Sequence, residues 1–181
     1  SVAAHPGGKV LAVGHDDTRA VELYDADSLR LLQAVDVAGV DKGNLSSVAW
    51  SADGRRLWAA GRYSVNSVYQ VRAWDDEGRG PGVNIATSAA NTIRQIVSCG
   101  DGIGYVTADP GFGWLDGRGQ PVSWVGPVQV DMRGKLGDKL TVSPDGLRVR
   151  FGLEYGGGKP AVIDLAAGRL DDAPDPISGL T

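Results

Sequence analysis

Glutamate, histidine, phenylalanine, methionine and cysteine are all scarce in this sequence. Among 181 residues there are three glutamates against nineteen aspartates, two phenylalanines, two histidines, one methionine and one cysteine. A lone cysteine, Cys99, excludes an intramolecular disulfide framework and fits a reducing compartment. The cytoplasm is therefore the expected location, with the periplasm or secretion as the alternative. No apolar run approaches the roughly 20 residues of a membrane-spanning helix, and no secretory signal pattern opens the chain. Basic residues are outnumbered 18 to 22, and the net charge of -4 offers no electrostatic grip on nucleic acid or an anionic membrane, so neither is an expected partner. The chain opens on Ser1 and enters in mid-strand, which reads as a piece of a longer protein.

What is abundant is turn chemistry. With 27 Gly, 9 Pro and an acidic complement that is nearly all Asp, the chain is one of strands and turns. Residues 45–76 show the unit most completely. Ser47 to Trp50 reads as a short apolar strand, Ser51-Ala52-Asp53-Gly54 as a tight reversal, Arg55 to Ala60 as a second strand, 61–67 as a loop, and Val68 to Trp74 as a third strand closed by Asp75. Such a unit cannot bury its own faces and implies neighbours of the same kind.

The unit recurs. Gly8, Gly54, Gly102 and Gly146 mark reversals at steps of 46, 48 and 44. An apolar or aromatic residue followed by Asp ends a third strand at Asp25, Asp75, Asp116 and Asp164, at steps of 50, 41 and 48. Both rulers give the same four units, approximately 1–40, 41–90, 91–130 and 131–181. The third is the most eroded, because Asp109-Pro110-Gly111-Phe112-Gly113 leaves only Gly113 to Leu115 for its third strand. In the fourth, the Pro- and Asp-rich run 171–176 argues against an outer strand, so the array is expected to stop with raw edges.

The phrases Ser143-Pro144-Asp145-Gly146 and Trp74-Asp75, with looser copies about every 45 residues over nearly the whole chain, resemble the WD-repeat β-propeller family. The resemblance implies an all-β fold, a β-propeller of four consecutive blades with three to four antiparallel strands each, forming part of an incomplete ring. It also implies a bacterial, non-catalytic scaffold that binds protein or peptide. Bacterial arrays of this family are often fused to catalytic modules such as caspase-like peptidases, which would make this a regulatory part of a larger protein. The sequence departs from the family's fuller pattern in lacking a Gly-His pair before each inner strand. Gly14-His15 instead follows a second strand, so the family's buried His-Ser-Asp-Trp network is not carried over.

No residue set spells catalysis or a cofactor. Lys159 follows three glycines, yet Leu153 and Pro160 break the phosphate-loop pattern. Asp25-Ala26-Asp27 begins like a calcium loop, but Arg30 takes the obligatory glycine position. Cys99, at the end of an inner strand, reads as a packed thiol and not as a nucleophile served by His5 or His15. The expected cofactor complement is none. Loops joining second to third strands gather on one face of a propeller, and here they carry His15, Asp16, Arg62, Tyr63, Phe112 and Tyr155. Segments leading into inner strands, with Asn44, Asn91, Arg133 and Lys135, share that face. Exposed aromatics beside Arg suit protein binding; the bland alternative is that they fold over their own blades. The five tryptophans read as wedges between blades. The expected partners are a protein or peptide on the loop face, and the rest of the propeller or a second copy at the raw edges. The rival is a propeller hydrolase or lactonase holding a central metal, for which Asp138, Asn44 and Asn91 are the candidate ligands.

Overall fold

Short apolar runs punctuated by Gly and Asp fold into hairpins, and hairpins with two apolar faces must stack. The computed structural model describes residues 1–109, 111–126, 141–143, 147–152, 160–164, 167 and 169–172. They form four sheets, each of four antiparallel strands whose spatial order follows the chain. The first holds β1 (Val2–Ala4), β2 (Val10–Gly14), β3 (Val21–Asp25) and β4 (Leu31–Ala34). The second holds β5 (Ser47–Trp50), β6 (Leu57–Val65), β7 (Val68–Trp74) and β8 (Val83–Ala86). The third holds β9 (Ile93–Cys99), β10 (Gly102–Thr107), β11 (Phe112–Leu115) and β12 (Pro121–Val125). The fourth holds β13 (Thr141–Val142), β14 (Arg148–Gly152), β15 (Pro160–Asp164) and β16 (Arg169–Asp172). There is no helix and no closed ring among the described residues, and thus no helix able to cross a membrane.

Three expectations are corrected. The third sheet is complete, because Phe112 joins its third strand and Pro121 to Val125 pair with it as an outer strand. The fourth sheet has an outer strand, Arg169–Asp172, which ends before Pro174 is reached and so is untouched by proline's missing donor. The strand expected to stop at Ala60 runs on to Val65 through a register irregularity between Ala60 and Ser64, and the hairpin turn falls at Asn66-Ser67, both at positive φ.

Both rulers acquire physical causes. In the first two sheets the inner-strand turn is closed by the same backbone bond, His5 N–H to Val10 O and Ser51 N–H to Arg56 O, and Ser143 N–H to Arg148 O repeats it in the fourth. The glycine at positive φ is Gly8, then Gly54, then Gly100 and not Gly102, so the described steps are 46 and 46. Gly146 stands a further 46 on, outside the described residues. The third turn is a tight hairpin pairing Cys99 with Gly102, which places Gly102 in the strand. The Asp ruler marks a cap. Asp25, Asp116 and Asp164 each accept the backbone N–H of the following turn, from Ser28, Arg118 and Ala167 at 2.7 to 2.9 Å. Asp75 instead takes the Arg56 guanidinium in a two-pronged contact of 2.6 and 3.0 Å, while Arg56 Nη1 donates to Gly117 O of the third sheet.

The core lies between sheets. One seam packs Ala12, Val21 and Leu23 of the first sheet against Val48, Trp50, Leu57, Ala59, Tyr63 and Trp74 of the second. The next packs Ala49, Trp58, Ala60, Val71 and Ala73 against Ile96, Ile103, Tyr105 and Leu115 of the third. Trp50, Trp58 and Trp74 are the expected wedges; Trp124 packs at the margin of the second seam, and Trp114 is half-buried. Inner strands are also pinned by serines: Ser1 Oγ accepts Val48 N–H and Ser47 Oγ accepts Ile96 N–H, each at 2.9 Å.

Candidate functional site

Because strands within each sheet alternate direction, β1, β5 and β9 run side by side and enclose a cleft of about 840 Å³. Its walls are small and polar, among them Ser46, Ser47, Thr92, Gln95 and Ser98, with Asp16, Arg62 and Arg94 supplying charge.

One end of the cleft is built around Asn44, which is buried and follows Gly43. Gly43 sits at a φ of 84° against the Arg62–Tyr63 backbone, where any Cβ would collide with main chain. That close approach lets Asn44 Nδ2 donate to Asp16 O at 2.6 Å and to Asp16 Oδ1 at 2.8 Å, while its Oδ1 accepts Arg62 N–H at 2.9 Å. Arg62 Nη2 donates to Asp16 O at 2.8 Å. A buried amide thereby ties a loop of the first sheet to a strand of the second and holds an exposed carboxylate beside an exposed guanidinium. Asp16 and Arg62, 46 residues apart, are brought together as a rim pair.

The other candidates fall elsewhere. His15 turns away from Asp16: its Nε2 meets Glu22 Oε2 at 2.9 Å, and Tyr24 OH donates to the same oxygen at 2.8 Å. The Tyr24 hydroxyl foremost, with His15, holds the Glu22 carboxyl below its ordinary range, and the same contact raises Tyr24. Tyr63 is not an exposed loop aromatic. It is 1% exposed, its OH donating to Gly39 O and accepting from Asn84 Nδ2, because it continues the row Leu57, Ala59 that faces the first sheet. Phe112 is 2% exposed for a similar reason: it is a paired strand residue opposite Val106 and Val125. Two aromatics of the expected face, Tyr63 and Phe112, are therefore core. Asn91 caps Thr92 N–H locally at 2.8 Å. Arg133, Lys135, Tyr155 and Asp138 lie outside the described residues.

Two residues were not singled out by sequence. Arg94, exposed in the cleft wall, announces itself as the one charge in an otherwise uncharged inner strand. Arg72 is buried, donating from Nη1 to Asn84 Oδ1 at 2.8 Å and from Nη2 to Ala38 O at 2.7 Å, with its guanidinium over the Trp74 ring. It fixes the loop between the first two sheets. Cys99 is buried at the end of β9. No group of three or more His, Cys, Asp or Glu suited to a metal occurs among the described residues.

No protein-family model matches the chain, and no curated protein matches it in sequence. Solved structures match it in shape. Hydrazine synthase of Kuenenia stuttgartiensis superposes with a TM-score of 0.70 at 19% identity, over 93% of this chain and 46% of that one. Dihydro-heme d1 dehydrogenase NirN, in complex with DHE, gives 0.65 at 20% identity over 99% and 37%. U3-55K gives 0.68 at 12% identity over 94% and 50%. These are propeller folds, and the chain is a set of propeller blades spanning half or less of each. Identities this low show the fold alone. Two of the three carry enzyme names and one does not, so they do not choose between catalysis and binding.

Proposed function

We propose that this segment is a non-catalytic binding module of the WD-repeat kind, a scaffold or regulatory part of a larger protein, that receives an extended protein or peptide segment in the cleft between its inner strands. The supporting observation is the rim itself. Asn44 uses both its amide donors and its carbonyl oxygen to fix Asp16 and the Arg62 backbone at the mouth of a cleft of about 840 Å³ whose wall presents Arg94. The guanidinium groups of Arg62 and Arg94, set among small polar residues, suit backbone carbonyls and carboxylates of a bound chain.

The test is a display selection of peptides against the chain, followed by titration of the selected peptides into variants. Arg62→Ala and Arg94→Ala are each expected to weaken binding by roughly tenfold, the equivalent of about 1.4 kcal/mol. Selected peptides whose affinity ignores both substitutions would remove the cleft from consideration. Hydrolytic activity that needs an added divalent metal and disappears in Asp138→Ala would replace the binding reading with the catalytic one.

A further inference from the structure

Both arginines of the cleft reach it by the same device. Among the described residues the ladders break register at four places. Two breaks lie on outer strands, where the extra residues are Leu32 and Val122, both exposed. The other two lie beside the cleft. β6 runs from Ala60 to Ser64 while β7 moves only from Val71 to Tyr69, so Gly61, Arg62 and Tyr63 stand opposite Gln70 alone. β9 runs from Ile93 to Gln95 while β10 moves only from Thr107 to Val106, so Arg94 has no partner of its own in the ladder. A bulge of this kind gives up pairing and re-aims a side chain. One delivers Arg62 to the cleft wall and the other Arg94.

Each bulge is fixed by its surroundings. In a regular strand, residues three apart face opposite sides. Ile93 and Ile96 nevertheless both pack into the second seam, and the extra residue between them, Arg94, is left exposed. At the other break a Cβ on Gly61 would run into Asn44 Oδ1, the same oxygen that accepts Arg62 N–H.

The charge balance of the wall points to what it receives. Its charged side chains among the described residues are Asp16, Arg62 and Arg94, one acid against two bases on a chain whose net charge is -4. Arg62 is offset by Asp16, with Nη2 3.4 Å from Oδ1. The Arg94 guanidinium is offset by nothing: among the described residues it has neither an ion pair nor a hydrogen-bond partner. A planar fork of donors without an acceptor suits a carboxylate. Asp16, 83% exposed at the same rim, disfavours a phosphate, which carries nearly two negative charges, more than a carboxylate, which carries one.

Resting on the reading of the cleft as a peptide site, we infer that its partner is an acidic segment, held by an Asp or Glu side chain on the Arg94 guanidinium, with Arg62 as the second contact.

The test is a selection from random peptides displayed through their C-termini, so that only side chains can supply carboxylates. Selected sequences are expected to be enriched in Asp and Glu. They are then synthesised with amidated C-termini and titrated alongside versions in which each Asp or Glu becomes Asn or Gln. One such exchange is expected to weaken binding to the unaltered chain roughly tenfold, and binding to Arg94→Ala no more than about twofold. Arg55→Ala removes an equal charge outside the cleft, at a position 87% exposed, and is expected to keep the whole preference. Circular dichroism reports that each variant is folded. Peptides that bind through Arg62 and Arg94 yet tolerate every amide exchange overturn the acidic partner and leave the cleft reading standing. So does a phosphoserine peptide that binds more tightly than its Asp counterpart. Peptides indifferent to both arginine substitutions, or a selection that returns no binder, remove the cleft reading and the acidic partner together.

Discussion

Arg72 decides between two accounts of how the first two sheets are held. Its guanidinium is 3% exposed, and it lies 3.9 Å from the Asp36 carboxylate while donating to Ala38 O and Asn84 Oδ1. An ion-pair account makes Asp36 the important partner; a loop-clamp account makes the carbonyls important. The ion pair is long and its carboxylate is half in water, so it is screened and weak. The clamp is different. Arg72→Met removes two hydrogen bonds made by a charged group, to Ala38 O and Asn84 Oδ1, each worth at most about 1.5–3 kcal/mol because both acceptor residues are exposed and water can replace the donor, whereas Asp36 O keeps the Trp74 indole N–H at 2.6 Å. Part of this is offset, because the buried charge disappears together with an Nε that has no partner. The expected net loss is about 2–4 kcal/mol. Asp36→Asn keeps an acceptor for Ala38 N–H and is expected to move the midpoint by only a small fraction as much. Urea unfolding followed by tryptophan fluorescence separates them, with the midpoint shifted and the slope unchanged. If Asp36→Asn proves as damaging as Arg72→Met, or if high salt erases the difference, the loop-clamp account is wrong.

Other substitutions probe single contacts. Gly54 and Gly8 share a positive φ, but a Cβ at Gly54 runs into the His5 ring and one at Gly8 meets nothing. Gly54→Ala is therefore expected to lower the thermal midpoint clearly more than Gly8→Ala, which carries only the backbone strain of about 1–2 kcal/mol; equal shifts would contradict the contact. Trp74→Phe forfeits the bond to Asp36 O, whereas Trp58 Nε1 has no acceptor, so Trp74→Phe should lose about 1 kcal/mol more than Trp58→Phe in the same unfolding assay. Acid should destabilise the fold. Asp75 is held below the ordinary carboxylate range, first by its hydrogen bond from Arg56, so its contribution is present above about pH 4 and is lost as pH falls through the depressed value. A thermal midpoint that rises between pH 5 and pH 3, or an acid slope unchanged in Asp75→Asn, would contradict this.

The blades were legible because their signals are local and redundant. A Gly at positive φ, a Ser or His closing the same turn, and an Asp capping the next one each leave a mark in sequence, and a misplaced glycine in the third unit did not hide the period. The outer strands were harder to read, since Arg169 to Asp172 carries no apolar alternation and is held by pairing with β15 alone. Two aromatics of the candidate face proved buried for a reason that composition does not show. Tyr63 looked like a loop aromatic because Gly61 and Arg62 precede it, yet it keeps the parity of Leu57 and Ala59, and that parity was the readable sign of burial. Asp16 and Arg62 were named separately; only the packing of two sheets, with Asn44 between them, makes them one pair.

The residue at one register position varies from sheet to sheet while the apolar rows around it persist. It is Glu22 in the first, Arg72 in the second and Gly113 in the third. Arg72 fits only a predecessor whose outer loop offers the carbonyls of Asp36 and Ala38. Gly113 fits because the Tyr105 ring lies where a Cβ would be, its hydroxyl raised in pKa by burial and set close to Ser88 N–H of the second sheet. Apolar rows alone would let any sheet stack on any other, since hydrophobic burial is non-directional. The varying position supplies the direction: a wrong predecessor before the second sheet would leave the Arg72 guanidinium buried without its partners, at a cost of several kcal/mol. The order of neighbouring sheets is thus marked at this position, and exchanging Glu22 and Arg72 should lower the urea midpoint far more than exchanging any two aliphatic residues of the same rows.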